Sequence, residues 1–155
     1  MPVYFVRHAT PIEGPEEITD GKKKDVPLSA NAENEVKAWV EGHGIKPDVI
    51  VYAPALRVEQ TAMQIRSLLK AILVMDETWE EINFKYLDSL EPDSEEVLKT
   101  KKYFEGQLER LKRTYKDKTV VVVTHGGVIK FISKYIDRNE PIAKVNPLQV
   151  YTRDT

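Results

Sequence analysis

The sequence contains no cysteine and only three histidines among its 155 residues. Without cysteine, the chain cannot form disulfides, thiolate zinc sites or iron–sulfur clusters, and it has no thiol nucleophile. Three histidines also provide few ligands for a multi-metal centre. The formal net charge of −2 lacks the basic excess that is typical of nucleic-acid binders. The composition therefore excludes thiol chemistry and predicts no nucleic-acid partner.

Long apolar runs are missing as well. No stretch approaches the roughly 20 residues that a membrane span needs, so we expect no membrane partner. Residues 1–6 lead directly to Arg7-His8 and lack the basic start, apolar region and cleavage site of a signal peptide. We therefore expect a cytoplasmic protein. The length predicts one domain over residues 1–155, with little material for a cap above an active site.

Short apolar segments alternate with amphipathic segments along the chain. Strands are predicted at residues 2–6, 48–52, 71–75 and 119–124, with a possible edge strand at 148–152. Helices are predicted from Ser29 to Glu41, over 54–70, from a cap at Asp93 through Tyr115, and after Gly126-Gly127. Residues 9–28 and 76–93 are predicted to be irregular loops.

This alternation predicts the α/β class. We expect a three-layer sandwich, with a mostly parallel sheet and helices on both faces. The run TVVVVT at 119–124 is apolar almost throughout, as central parallel strands are. In open sheets of this kind the ligand lies beyond the carboxyl ends of the strands. Residues that directly follow strands are therefore the candidates for function.

Cationic side chains and imidazoles follow three of the predicted strands. Arg7 and His8 end the first strand, Arg57 follows the second, and His125 follows the fourth. Arginine supplies charged, bidentate donors that match the geometry of a phosphate. Gly126 opens a helix, whose first backbone N–H groups add positive potential. A phosphoryl group is the ligand that this cluster favours.

Three segments resemble the histidine phosphatase superfamily, which includes phosphoglycerate mutases and phosphohistidine phosphatases. They are VYFVRHAT at residues 3–10, YAPALRVEQTA at 52–62 and VVVTHGG at 121–127. The segments occur in the family's order over roughly residues 3–132, and each one follows or includes the appropriate strand. The resemblance implies a phosphoglycerate mutase-like fold without a large cap.

The resemblance also implies a role for each matched residue. His8 would be the nucleophile that takes up the phosphoryl group as a phosphohistidine. Arg7, Arg57 and His125 would bind the phosphoryl oxygens and stabilise charge in the transition state, and Gly126 would contribute to phosphate binding. Phosphoryl transfer depends mainly on such positioning and electrostatic stabilisation.

A general acid is expected in the loop after the third strand. The family pattern aligns with Trp79–Lys85 and places Glu81 in the position of the acid, and the neighbouring Glu80 is an alternative. A bound phosphate would raise the pKa of such a carboxyl group through like charge. A raised pKa suits a general acid that works near neutral pH.

The resemblance implies a phosphatase that needs no metal or cofactor and hydrolyses phosphomonoesters through His8. Its partner would be a small phosphorylated substrate or a phosphoprotein. Two enzymatic alternatives are a protein phosphohistidine phosphatase and a phosphoglycerate mutase-type phosphoryl transferase. A module that only binds phosphate or phosphoproteins is the alternative outside the enzymes. Residues 11–27 and 82–93 would select the substrate.

Overall fold

The computed structural model of the chain describes residues 2–12 and 27–154. Most of the first loop that was predicted to select the substrate, residues 11–27, lies outside the described residues. The strands are β1 (Pro2–Arg7), β2 (Val49–Tyr52), β3 (Ile72–Met75), β4 (Val120–Thr124) and β5 (Val150–Asp154). The helices are α1 (Ala32–His43), α2 (Leu56–Leu68), α3 (Phe84–Ser89), α4 (Glu95–Thr114) and α5 (Gly126–Phe131), and a π-helical turn follows at Ile132–Ile136.

Within the described residues, the five strands form one sheet in the order β3-β2-β4-β1-β5. The pairs β3–β2, β2–β4 and β4–β1 are parallel, and β5 pairs antiparallel with β1 at one edge. All residues of β4 are buried, because this central strand is covered on both faces. The predicted α/β class with a mostly parallel sheet is confirmed, and so is the edge strand near the end of the chain.

The helices form two groups around the sheet. Helix α1 packs against α2, whereas α3 contacts α5, and the π-helical turn after α5 contacts α4. Gly44 ends α1 in the left-handed conformation, with φ 67°, which glycine adopts without strain. The described part of the chain contains no large cap domain, which agrees with the expected phosphoglycerate mutase-like architecture.

Two predicted helix caps are wrong by one or two residues. Helix α1 begins at Ala32, with Asn31 rather than Ser29 in the cap position, because the carbonyl of Ser29 accepts the backbone N–H of Ala32 in a turn that precedes the helix, and the N–H of Ser29 donates to Thr10. Ser29 therefore joins the first loop instead of capping the helix. Helix α4 is capped by Ser94 rather than by Asp93, and the Ser94 hydroxyl accepts a backbone N–H three residues later.

The stretch 76–93 is less irregular than predicted. It contains a 3₁₀ turn at Glu77–Trp79 and the helix α3. The side chains of Asp76 and Asn83 accept backbone N–H groups at the starts of these two elements. Elements this short have too few residues for an apolar period, and their starts depend on local side-chain caps.

Four buried aromatic rings connect the sheet to the helices on one side. Trp79 lies 5.5 Å from Phe5 and 6.1 Å from Phe104 between ring centroids, and Phe104 lies 5.8 Å from Phe131. Each of these residues is at most 1% exposed. Because Trp79 lies in this cluster, the loop that follows it is anchored at its first residues.

No helix within residues 2–12 and 27–154 is both long enough and apolar enough to span a membrane. The cytoplasmic location and the single-domain boundaries stay predictions.

We expect Phe104→Ala to lower the free energy of unfolding by about 3–5 kcal/mol, because the substitution leaves a cavity among packed rings. Urea unfolding followed by circular dichroism measures the change. Leu98→Ala on the same helix is the control, since Leu98 is 48% exposed, and its effect should stay within about 0.5 kcal/mol. Equal effects of the two substitutions would contradict the central place of Phe104.

Candidate active site

The register of β1 and β4 brings two histidines together. Arg7 and Thr124 are partners in this parallel pair, so the next residues, His8 and His125, follow adjacent strand ends. The backbone N–H of His8 donates to the carbonyl of Thr124 at 3.1 Å. The two imidazole centroids lie 5.5 Å apart in an edge-to-face arrangement. Both histidines are buried, with exposures of 3% and 2%.

Arg57 lies between these histidines. Helix α2 follows β2, which neighbours β4, and this places Arg57 at the same edge of the sheet. Its Nε donates to Nε2 of His8 at 3.2 Å, and its Nη2 lies 3.3 Å from Nδ1 of His125. Burial lowers the pKa of Arg57, the charge of Glu81 partly offsets this effect, and the nearby Arg7 lowers the pKa further. A guanidinium still remains charged at neutral pH, because its ordinary pKa is so high.

The hydrogen bonds of His8 assign its tautomer. Nδ1 lies 2.8 Å from the carbonyl oxygen of Ala9, which only accepts, so Nδ1 carries the proton. Nε2 in turn accepts from the Nε–H of Arg57, so it carries a lone pair. The ring is therefore neutral, and its unprotonated nitrogen points at the cationic side of the site. This is the form that a nucleophilic imidazole requires.

Arg7 is held by the segment that precedes β5. Its Nη1 donates to the carbonyl of Val145 at 2.6 Å. Its backbone N–H donates to Gln149, and its carbonyl accepts from Leu148. Gly126 adjoins this guanidinium, since a Cβ placed on Gly126 would lie 3.8 Å from Cδ of Arg7. Arg7 and the start of α5 therefore lie side by side, as predicted.

The carboxyl group of Glu81 lies at the start of α5. Its Oε1 accepts the backbone N–H of Ile82 at 3.1 Å, and the carboxylate also accepts the backbone N–H of Gly127. A Cβ on Gly127 would overlap Oε1 of Glu81 and lie 3.0 Å from the carbonyl oxygen of Ile82. Only glycine at position 127 permits this close approach.

Burial raises the pKa of Glu81. The N–H groups of Ile82 and Gly127 and the charges of Arg57 and Arg7 act in the opposite direction, but they do not cancel the effect of burial. Glu81 as a whole residue is exposed, and its carboxyl group lies against the backbone of Ile82 and Gly127. The raised pKa was predicted from the like charge of a phosphate, whereas here desolvation alone produces it.

The alternative acid, Glu80, lines one surface cavity together with Glu81. It also lines a second cavity, of about 600 Å³, together with Asp76 and Arg110. The cavity is occupied on one side by the Arg110–Asp76 ion pair, in which Nη2 and Oδ2 are 2.7 Å apart. The carboxyl group of Glu81 contacts Gly127 at the start of α5, and this contact makes Glu81 the candidate for the acid.

Two buried threonines that the sequence analysis missed tie the site together. The hydroxyl of Thr61 accepts the backbone N–H of Ala9 at 3.0 Å and donates to the carbonyl of Arg57 at 2.7 Å. The hydroxyl of Thr124 donates to the carbonyl of Trp79 at 2.6 Å. Both residues have no exposed surface. In the sequence, each of these threonines is a polar residue inside one of the matched motifs, and this position could have identified them.

Within the described ranges, no group of three or more histidine and acidic side chains could hold a metal ion. The expected lack of a metal and of a cofactor stays a prediction.

The family model of the histidine phosphatase superfamily, branch 1, matches residues 3–102 and 88–153. The chain belongs to this superfamily. The resemblance that three short motifs carried is thereby confirmed, and so is the enzyme class, a phosphatase of this superfamily.

Similar proteins agree with this assignment. An uncharacterized phosphatase of Bacillus subtilis (strain 168), PhoE, is 25% identical over 135 residues, covering 77% of this chain and 69% of the relative. A phosphoglycerate mutase from Bacillus anthracis has a TM-score of 0.75 at 17% identity, over 97% of this chain and 86% of the mutase. A phosphoserine phosphatase from Entamoeba histolytica, bound to phosphoserine, has a TM-score of 0.69 at 20% identity, over 97% and 89%. The two structural likenesses show the fold.

We expect Gly127→Ala to slow turnover of a phosphomonoester by about tenfold to a hundredfold, because the added methyl displaces the Glu81 carboxyl group. Steady-state kinetics measure kcat, and thermal unfolding checks that the variant folds. Gly106→Ala is the control, since a Cβ there meets nothing within 4 Å. A Gly127→Ala variant with the kcat of the wild type would contradict this view of the acid.

Proposed function

We propose that the chain hydrolyses phosphomonoesters through a phosphohistidine on Nε2 of His8. The observation that carries the proposal is the contact of Nδ1 with the carbonyl of Ala9, which leaves a lone pair on Nε2 beside Arg57. We further propose that a single domain, residues 1–155, carries the whole reaction. The substrate would be a small phosphorylated molecule or a phosphoprotein.

In the first step, Nε2 of His8 attacks phosphorus, and the bond from phosphorus to the leaving oxygen breaks. The carboxyl group of Glu81 gives its proton to that oxygen as it leaves. Arg7, Arg57 and His125 donate to the non-bridging oxygens, where negative charge is concentrated. As the substrate enters, the Nε–H of Arg57 stops donating a hydrogen bond to Nε2 of His8 and donates to a phosphoryl oxygen instead.

In the second step, water attacks the phosphohistidine. The Glu81 carboxylate accepts a proton from the water, the bond from phosphorus to Nε2 breaks, and inorganic phosphate leaves. His8 returns to its neutral form, and Glu81 is protonated again for the next cycle. The raised pKa of Glu81 supports both roles, because a group that titrates nearer to neutral pH both gives and takes a proton readily.

Hydrolysis is favoured over transfer to a second hydroxyl group. A mutase must exclude water while it holds its phosphoenzyme, which requires a closed site. Residues 2–12 and 27–154, which the structure describes, include no large cap that would enclose His8. The phosphoryl transferase, the protein phosphohistidine phosphatase and the phosphate-binding module remain the competing proposals.

We expect wild-type protein incubated with a ³²P-labelled phosphomonoester to form an acid-labile phosphoenzyme that His8→Ala lacks. Rapid quenching in alkali preserves the phosphohistidine for measurement. His43→Ala is the matched control, because His43 lies at the far end of α1 and is exposed, and it should label like the wild type. Labelled protein that releases inorganic phosphate supports the phosphatase.

Other outcomes of the same labelling experiment identify the competing functions. Label transferred from the phosphoenzyme to an added phosphoglycerate identifies a phosphoryl transferase. Faster turnover of a phosphohistidine protein than of any phosphomonoester identifies a protein phosphohistidine phosphatase. A wild-type protein that binds phosphate but neither labels nor releases phosphate would overturn the enzymatic proposal.

We expect Glu81→Gln to affect alkyl phosphates far more than p-nitrophenyl phosphate, whose leaving group needs no proton. The loss of kcat on an alkyl phosphate should be about 100-fold or more. In the wild type, activity should decline as pH rises through the pKa of Glu81, because the acid form is lost, and Glu81→Gln should remove this decline. Glu80→Gln is the control and should keep both the rate and the pH profile.

A further inference from the structure

The peptide group between Ala9 and Thr10 makes hydrogen bonds at both ends. Its carbonyl oxygen, on Ala9, lies 2.8 Å from Nδ1 of His8. Its N–H, on Thr10, donates to Oε1 of Glu35 at 3.2 Å, and the Thr10 hydroxyl donates to Oε2 of Glu35 at 2.9 Å. One peptide group therefore connects the carboxylate of Glu35 with the imidazole of His8.

The fold fixes both ends of this connection. Glu35 lies in the first turn of α1 and is half-buried, and both of its carboxylate oxygens contact the same residue, Thr10. The preceding peptide group is held as well, because the N–H of Ala9 donates to Thr61 on α2. Helices α1 and α2 pack against each other, so the two anchors lie on neighbouring helices.

We propose that Glu35 is a positioning residue for phosphoryl transfer and acts on His8 through the Ala9–Thr10 peptide group. The inference rests on the proposed function of His8 as the nucleophile. The Glu35 carboxylate polarises the peptide N–H, which places more negative charge on the carbonyl oxygen at the other end. The hydrogen bond from Nδ1 to that oxygen becomes stronger, because such chains are cooperative.

The stronger hydrogen bond matters most during the first step. As Nε2 bonds to phosphorus, the imidazole ring becomes positively charged, and the charge is shared with Nδ1. Two groups face His8 from other elements, the cationic Arg57 on α2 and the imidazole of His125 after β4. Arg7 and the acidic Glu81 lie near Arg57. Glu35 supplies negative charge on the opposite side of the ring.

Glu35→Gln separates this electrostatic effect from simple anchoring. The amide oxygen of glutamine accepts the Thr10 N–H as the carboxylate does, and its NH₂ group donates to the Thr10 hydroxyl, which rotates to accept. The geometry is kept while the negative charge is lost. Glu33→Gln is the matched control, because it removes the same charge from an exposed position in the same turn of α1.

The experiment measures the pH profile of kcat/KM and the rate of phosphoenzyme formation. We expect Glu35→Gln to keep the thermal stability of the wild type and to slow phosphoenzyme formation roughly three- to tenfold. The acidic limb, where His8 takes up a proton, should move to lower pH, because losing a nearby negative charge destabilises the imidazolium. Glu33→Gln should change neither quantity.

Two results would overturn the inference, and they can be told apart. If the wild type labels on His8 but Glu35→Gln keeps both its rate and its acidic limb, Glu35 is only an anchor for the loop. A wild-type protein that never labels on His8 would overturn the proposed function and this inference together. If Glu35→Ala forms the phosphoenzyme slowly while Glu35→Gln forms it at the wild-type rate, Glu35 is likewise only an anchor for the loop.

Discussion

The parallel pairing of β1 with β4 sets the relative position of the two histidines in the site. Because Arg7 stands opposite Thr124 in this register, the two following histidines leave the sheet side by side. A shift of the register by one residue would turn alternate side chains to the other face and separate the two imidazoles. The buried valines of β4, which pack on both faces of the sheet, hold the register. The chemistry of the cleft thus depends on apolar packing below it.

The site combines cationic and acidic groups. Arg57 bridges two imidazoles, and its guanidinium favours the neutral form of His8 by its own charge and by donating to Nε2. Glu81 and Glu35 are the acidic groups. The carboxyl group of Glu81 lies at the start of α5, and that of Glu35 accepts the N–H of the Ala9–Thr10 peptide group. In the proposed mechanism, His8 is therefore neutral at rest, and the positive charge that it acquires during attack is stabilised.

The apolar runs predicted the strands well, and the rule that ligands lie beyond strand ends then selected Arg7, His8, Arg57 and His125, which the structure brings together. What the sequence could not predict depends on contacts between distant segments. The hydrogen bonds of Glu35 connect residues 25 positions apart across the first loop, and no periodic pattern encodes such a pair. The same limit applies to α3 and to the cap of α4, which depend on single side chains.

Most of the contacts described above for Arg7, His8 and Glu81 end on main-chain atoms. The carbonyl of Val145 holds Arg7, that of Ala9 orients the His8 ring, and the amides of Ile82 and Gly127 hold the Glu81 carboxyl group. Every amino acid has a main-chain carbonyl, and all but proline have an N–H group, so many neighbours other than Gly127 can be exchanged without loss of these contacts. This tolerance offers a physical reason why an architecture can persist at 17% identity and a TM-score of 0.75. Evolution can therefore reshape the surroundings of such a cleft, and with them its substrate preference, while the reacting groups keep their places.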